Sequence, residues 1–459
     1  MSTLAAELKI DAVVAGQARL SPDDAMRLYR EASLHDLGRW STAMADRIMA
    51  ATYPHAADCR TYVIDRNINY TNVCSARCTF CAFRRDGDED DAYTLSTQQL
   101  HDKIRELVAI GGTQILLQGG MHPDLPIAFY EDMLRGIKAA FPTVHVHGFS
   151  PPEFVEFVAV FKLDGFPTTA PGQSHTLPPD VWAAKLEAIM RRLMAAGLDS
   201  IPGGGGEIFA EHVRRRIGLG KATATQWLDV MSMAHRLGMK TSATMMFGHV
   251  ESVADRIDHM ARVRERQDQA VAAGWAGKYV SFIAWPFQRE NTPMGRLPDW
   301  NPEEEAVFPG EDPSHPKHGK MLRMAGATEY LRMQAISRLF FDNVQSIGSS
   351  WVTMGPKIGQ LALFHGATDM GSVMMEENVV SAAGTTYCLT EELICHLIRG
   401  AGYTPAQRDN SYRLLKVHTS GGPDTAVTDW STQRVKKLHI EHHAVGAEDA
   451  TSIALTITR

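Results

Sequence analysis

Cysteine is scarce. The 459 residues contain six, of which Cys74, Cys78 and Cys81 fall within eight positions while Cys59, Cys388 and Cys395 are scattered. A secreted disulfide scaffold does not look like this, so that class is excluded. Positive charge is not in excess either: 46 Lys and Arg stand against 53 Asp and Glu, a formal net charge of −7. Nothing in that balance draws a phosphate backbone or an anionic surface, and no nucleic-acid partner is expected. No apolar run approaches the ~18 residues that a membrane-spanning helix needs. The opening, with Glu7 and Lys9 in an amphipathic setting, lacks the basic start and apolar core of a secretory signal. The expectation is a cytoplasmic protein with no membrane span. At 44% hydrophobic and 22% charged, the composition is that of a globular chain.

What the sequence does have is alternation. Residues 1–58 read as a helical N-terminal layer, with Ser21 before Pro22 as an N-cap and acids in the first turn. From Thr61 the period changes. TYVIDRNINY is a strand candidate, followed by the cysteine loop and a helix over 97–110 that ends at Gly111 and Gly112. TQILLQ, VHVHGF, DSIP, KTSATMMFG and YVSFIAWPF then alternate with amphipathic segments, the last of them a helix over 253–272. Six such repeats predict an α/β fold, a parallel sheet covered by helices, with the barrel region over 59–385. NVQSIGSSW and a segment near 360–364 are candidates for the two strands of an eightfold closure. The stretch 164–180 reads as an inserted loop, and 302–320 as a polar excursion able to cover a site. Residues 386–416 read as a C-terminal helical segment. The tail over 417–459 shows no clear period before TSIALTITR and is given no role.

The chemistry concentrates in Cys74-Ser-Ala-Arg-Cys78-Thr-Phe-Cys81, directly after a strand. Three thiolates on a short loop can bind three irons of a 4Fe-4S cubane and leave the fourth open. An open iron can chelate the amino and carboxylate groups of S-adenosylmethionine, so that one electron splits its carbon–sulfur bond and releases a 5'-deoxyadenosyl radical. Phe80 would then pack near the adenine edge. The competing reading is a structural zinc site completed by His101 or His122. The spacing, and its place after the first strand of a strand–helix series, favour the cluster.

Gln118-Gly119-Gly120 closes the second strand and offers backbone to a ligand. Pro202-Gly203-Gly204-Gly205-Gly206-Glu207 follows the fourth, where consecutive glycines suit close backbone approach, and no nucleotide phosphate loop pattern is present. Glu207 is either a base or ribose ligand, or a cap of the next helix. His145 and His147 share one strand face and read as interior histidines rather than a metal pair. His249 follows the fifth strand. Met374, Met375 and the MMFG string read as core, HIEHH at 439–443 as a solvated element, and Glu376 and Glu377 as substrate-pocket candidates because buried acids need partners.

The signature CxxxCxxC at Cys74, Cys78 and Cys81 resembles that of the radical S-adenosylmethionine superfamily. LQGGMHPDLP, HGFSPPE, GLDSIPGGGGEIF, IAWPFQRENTPMG, MMEENVVSAAG and GYTPAQRD further resemble the dehypoxanthine futalosine cyclase family of the futalosine route to menaquinone, over about residues 40 to 415. The resemblance implies a radical-SAM (β/α) barrel, a 4Fe-4S cluster on the three cysteines, and S-adenosylmethionine contacts at Phe80, Gln118, Gly119, Gly120, Glu153, Gly204 and Gly205. It implies hydrogen abstraction from ribose C4' of dehypoxanthine futalosine, radical addition to the benzoate ring, and one-electron oxidation of the ring radical with loss of one proton. Glu207 or His249 is the expected proton acceptor. Arg289, Lys357 or backbone near Gly355 is expected on the substrate carboxylate. A one-electron donor such as flavodoxin or ferredoxin is the expected partner. The alternatives are aminofutalosine synthase, in which the adenosyl radical adds to an enolpyruvyl substrate, and an iron-sulfur carrier or zinc protein without chemistry of its own.

Overall fold

Short strands and amphipathic helices in alternation leave each strand one face for helices and one for its own interior, and the chain resolves this by closing into a ring. The computed structural model describes residues 3–385 and 387–425. HIEHH at 439–443 and TSIALTITR lie outside the described residues. In chain order the strands are β1 (Cys59–Val63), β2 (Asp65–Asn69), β3 (Arg77–Cys78), β4 (Gln114–Gln118), β5 (His145–Gly148), β6 (Gly218–Leu219), β7 (Thr241–Phe247), β8 (Tyr279–Pro286), β9 (Ser346–Gly348), β10 (Asp369–Ser372), β11 (Thr404–Arg408) and β12 (Leu414–Val417).

β1 and β2 are two halves of one stave. β2 pairs with β4 and β4 with β5, while β7, β8, β9, β10 and β1 pair in succession, all parallel. Parallel bridges from His147 to Ser200 and from Ile201 to Thr241 close the remaining gap. Counting 200–201, the ring has eight parallel staves, a number whose interior is just wide enough for side chains or one small ligand. The seventh stave lies within NVQSIGSSW. The eighth does not lie at 360–364: Gly355 and Pro356 start a helix over Pro356–Ala362, with proline at its first position, and the stave is β10.

The N-terminal layer packs outside the ring. Its helix Pro22–Glu31 begins in a capping box, Ser21 accepting from the Asp24 backbone and Asp24 accepting in return. Helix Leu34–Thr52 lies against helix Ala327–Phe340, burying Leu37, Trp40 and Met44.

The C-terminal segment is not wholly helical. After helix Glu391–Gly400, β11 runs parallel beside β1 on the edge that β4 leaves uncovered, and β12 returns antiparallel to it. TPAQR has little intrinsic strand preference, so its conformation is imposed by the open edge it fills. Residues 408–412 then cross the amino-terminal end of the ring. Asn410 Nδ2 donates to Ser200 Oγ (2.8 Å), and the same hydroxyl meets His145 Nε2 (2.7 Å) and His147 Nδ1 (2.6 Å). The two histidines are members of a polar knot that seals the barrel floor. Among the described residues no helix is long and apolar enough to cross a membrane.

Candidate active site

The carboxyl ends of the staves open into a cavity of about 490 Å3, inside the ~300–1,000 Å3 range of small-molecule sites. Its mouth carries Cys74, Cys78 and Cys81, and its floor is Arg408, Asn410 and Tyr412. The barrel walls between are strand residues at every second position, such as Val63, Asp65, Asn67 and Asn69 on the first stave.

The cysteine loop is anchored along its length. Cys74 N–H donates to Arg85 O (3.1 Å), Ser75 N–H to Met121 O (2.8 Å) and Thr79 N–H to Ile217 O (2.8 Å), while β3 pairs antiparallel with β6. Ser75 Oγ donates to Glu156 Oε1 (2.7 Å), and Glu156 Oε2 accepts from Gly172 N–H (2.8 Å). The inserted loop over 164–180 is thereby tied to the cysteines through one buried carboxylate, a link that the sequence reading did not single out.

The thiols themselves suit a multi-iron group. All three are free, and all three border the same cavity. Burial pushes Cys74 up to about 11 and Cys78 up to about 12, so both need a cation to become thiolates. Among the described residues no three His, Cys, Asp or Glu side chains converge as a single metal ion requires. His101, edge-on against Phe141, and His122, which accepts from Asp124 N–H (3.1 Å), do not line the cavity of the cysteines, so neither completes a zinc site there. Beside the thiols, Met121 N–H points at Cys74 Sγ (3.3 Å). A Cβ on Gly120 would stand 2.1 Å from Val73 O and 2.9 Å from Cys74 Cβ, and one on Gly119 would stand 2.5 Å from the Tyr70 ring. The glycine pair is the condition for the loop's closeness to the second stave.

The four-glycine run divides into two tasks. Gly203 and Gly206 lie against β7, where a Cβ would meet Ser242 O at 2.8 Å and Thr244 O at 2.5 Å. Gly204 and Gly205 border the cavity, which Gly203 also reaches from the β7 side. Arg214, buried and unanticipated from sequence, fastens the run by donating to Gly205 O and Gly206 O, both at 2.9 Å. Glu207 follows with φ of 34°, a conformation that L residues rarely adopt. Its Oε1 accepts from Lys221 Nζ (3.0 Å), and the same ammonium sits 4.8 Å from the centre of the Phe80 ring.

Glu153 is buried at the top of the second and third staves. Its Oε1 accepts from Tyr70 OH (2.7 Å) and Gly119 N–H (3.1 Å), and its Oε2 from Ser150 N–H (2.7 Å) and Oγ (2.8 Å). It holds the glycine turn and caps the helix Pro151–Val160 at once. Burial raises its carboxyl from 4.5 to about 7. The folded state therefore holds a proton that the unfolded state has released, so this contribution is full below the ordinary value and is lost as pH rises through about 7. Thermal midpoints of the wild type should decline from about pH 5 to about pH 8. The slope should flatten in Glu153→Gln, and an equal slope in both proteins would contradict the assignment.

The structure brings Phe80, Gln118, Gly119, Gly120, Glu153, Gly204, Gly205, Glu207 and Glu377 to the cavity of the three cysteines. It does not bring the others. His249, just beyond the carboxyl end of β7, is buried outside the cavity, its Nδ1 paired with Glu251 (2.9 Å), which Arg256 also holds (2.7 Å). Arg289 is spent on Asp299 (2.8 Å) and Gly295 O (2.8 Å). Lys357 is exposed on the outer helix and Gly355 packs on Tyr387. Glu376 faces away from the cavity toward Arg66 (2.5 Å) and Lys103 (2.7 Å). Met246 and Met374, expected in the core, border the cavity, whereas 302–320 packs outside it.

A family model for the radical SAM superfamily matches residues 68–263, and one for the CofH/MqnC C-terminal region matches residues 307–420. The chain is 40% identical over 398 residues, 87% of its length and 92% of the relative's, to the cyclic dehypoxanthine futalosine synthase of Halalkalibacterium halodurans. The chain belongs to the radical SAM superfamily. It is a radical SAM enzyme of the branch with a CofH/MqnC C-terminal region, and that superfamily works with a 4Fe-4S cluster and S-adenosylmethionine. It is also 36% identical over 405 residues, 88% of this chain and 92% of the relative, to the 5-amino-6-(D-ribitylamino)uracil--L-tyrosine 4-hydroxyphenyl transferase of Methanopyrus kandleri. The aminodeoxyfutalosine synthase of Thermus thermophilus is more distant, 32% identical over 402 residues, 87% of this chain and 92% of the relative. The radical SAM fold is shared with methylornithine synthase PylB at a TM-score of 0.59, with 14% identity over 86% of this chain and 97% of that one.

Proposed function

We propose that this radical SAM enzyme cyclises dehypoxanthine futalosine to its cyclic form, the step of the futalosine route to menaquinone that the sequence suggested. The observation that carries the reading is the 40% identity along 87% of the chain to a protein of that name. Cys74, Cys78 and Cys81 would hold the cluster, and Phe80 with the Gly119–Gly120 turn would border S-adenosylmethionine. When bound, the pair supplies a carbon radical able to take hydrogen from a ribose carbon.

The protein's own work is positioning and exclusion of water. The apolar wall of Met246, Ile283, Trp285 and Trp351 suits an aryl ring, and it keeps water from a reactive carbon. Lys221 is a cavity-lining cation that takes up the role first sought in Arg289 and Lys357, facing a carboxylate with the ammonium hydrogens that Glu207 does not use, whereas Arg84 and Arg408 at the same cavity are engaged with Asp86 and Asp369. Glu207 accepts the proton released on cyclisation at its carboxylate, in place of His249. A one-electron donor of the flavodoxin or ferredoxin kind, and a cytoplasmic setting, belong to the same reading.

The test is an anaerobic assay of the reconstituted protein with S-adenosylmethionine, reductant and dehypoxanthine futalosine, followed by mass spectrometry. A product lighter than the substrate by two hydrogens, with free 5'-deoxyadenosine, is expected. An adenosyl group incorporated into product would favour the aminofutalosine-type reaction instead. Glu207→Gln should lower turnover by about 100-fold or more, as loss of a general base does, and unchanged turnover would remove Glu207 from the scheme.

A further inference from the structure

The interior of the barrel is chemically divided. On the side of β8 and the Trp351 helix the cavity is apolar, whereas on the side of β2 and β4 it is almost wholly polar, through Asp65, Asn67, Asn69, Gln114 and Gln118. Polar residues at every second position of a buried stave are costly unless each group has a partner. Most do. Asn67 Nδ2 donates to Glu377 Oε2 (2.8 Å), Gln114 Nε2 donates to Asp65 Oδ2 (2.9 Å), and Ser372 donates to Asp65 Oδ1.

Those bonds fix which way each amide faces, because a carboxylate accepts only from the NH2 end. The oxygen ends are left over. Asn67 Oδ1 and Gln114 Oε1 are both buried, both belong to cavity-lining residues, and neither meets a hydrogen-bond partner among the described residues. Asp65 stands opposite Gln114 in the β2–β4 register, two residues before Asn67. Parallel neighbours lie about 4.8 Å apart and alternate residues about 6.6 Å apart, so the three side chains border one patch of the wall.

The geometry points to a sugar-hydroxyl subsite on this stave: Asn67 Oδ1 and Gln114 Oε1, with Asp65 beside them, accept hydrogen bonds from the substrate's ribose and set its orientation against the apolar wall. The inference rests on the proposed substrate and specifies where its sugar lies. A wall of acceptors recognises hydroxyl donors and offers nothing to a carboxylate, which has no hydrogen to donate. The benzoate carboxylate therefore lies away from it, toward Lys221. Asn67 and Gln114 are specificity-determining residues here, not catalytic ones.

The experiment compares dehypoxanthine futalosine with its 2'-deoxy analogue on the cluster-reconstituted wild type, Asn67→Leu and Gln114→Met. Binding is read by titration calorimetry without S-adenosylmethionine, and KM and kcat by product formation. The wild type should bind the natural substrate about 10–100-fold more tightly than the analogue, since an analogue that lacks a hydroxyl leaves a buried acceptor unpaired. The variants should bind the natural substrate more weakly and lose most of that discrimination, with KM changing more than kcat. A merely structural role would weaken both ligands equally and overturn the inference. So would equal affinities for both ligands in the wild type, an arm that decides the matter even if a variant fails to fold. Turnover of dehypoxanthine futalosine by the wild type with no discrimination sinks the subsite alone; absence of turnover and binding sinks the reading on which it rests.

Discussion

Cys78→Ala purified anaerobically should retain the barrel's circular dichroism yet lose most of its iron and sulfide, and reductive cleavage of S-adenosylmethionine should fall to background. The expected loss exceeds the roughly 10–100-fold cost of removing an outer-shell partner of a metal site, because Cys78 is one of only three sulfur ligands that the loop offers. The fold should survive. Cys78 is in the two-residue ladder with Gly218, but its neighbours hold the loop without the thiol, through Thr79 N–H on Ile217 O and Met294 N–H on Thr79 O (2.7 Å). Cys59, buried against Met49 and Ala406, is the control. Cys59→Ala should leave iron content and cleavage unchanged, and equal losses in both variants would show that the trio is not a distinct ligand set.

The parts of this site legible in the sequence are those whose local spacing is itself the chemistry. The cysteine trio, the glycine pair at 119–120 and the acid after the glycine run are fixed to strand ends, and strand ends converge in any parallel barrel. What is not legible is the direction a residue takes just beyond a strand. His249 and Glu207 both follow staves, yet Glu207 enters the cavity on a left-handed backbone while the His249 backbone is pinned by Glu251, whose carboxylate accepts from Gly248 N–H (2.7 Å) and His249 N–H (2.9 Å). Arg289 is similarly captured by its own loop. DRNIN reads as a strand, but only ring closure shows that Asp65, Asn67 and Asn69 face inward together. The closing stave β10 and the added β11 are short and carry glycine or proline, so their pairing follows from tertiary contacts that no local pattern records.

Arg408→Met should be the most destabilising single change at the barrel floor. Arg408 is buried and binds Asp369 at both oxygens, Nε to Oδ2 at 2.5 Å and Nη2 to Oδ1 at 2.9 Å, with the Tyr412 ring 3.9 Å from its guanidinium carbon. Asp369 is also held by Thr61 Oγ1 (2.5 Å) and Gly371 N–H (2.7 Å), so it cannot swing to water when its partner is removed. Breaking one side of such a pair costs about 3–5 kcal/mol, a large share of the 5–15 kcal/mol that typically holds a protein folded. The pair also fastens β11 to β10 across β1, so the loss should free the segment over 408–412 that seals the floor. A sharply lower thermal midpoint and faster amide exchange over 404–417 are expected. Adding Asp369→Asn should restore part of the midpoint, because no uncompensated charge then remains buried. The ion pair is not what holds the floor if Arg408→Met melts at the wild-type temperature, or if the double variant melts lower by the full sum of the two single losses.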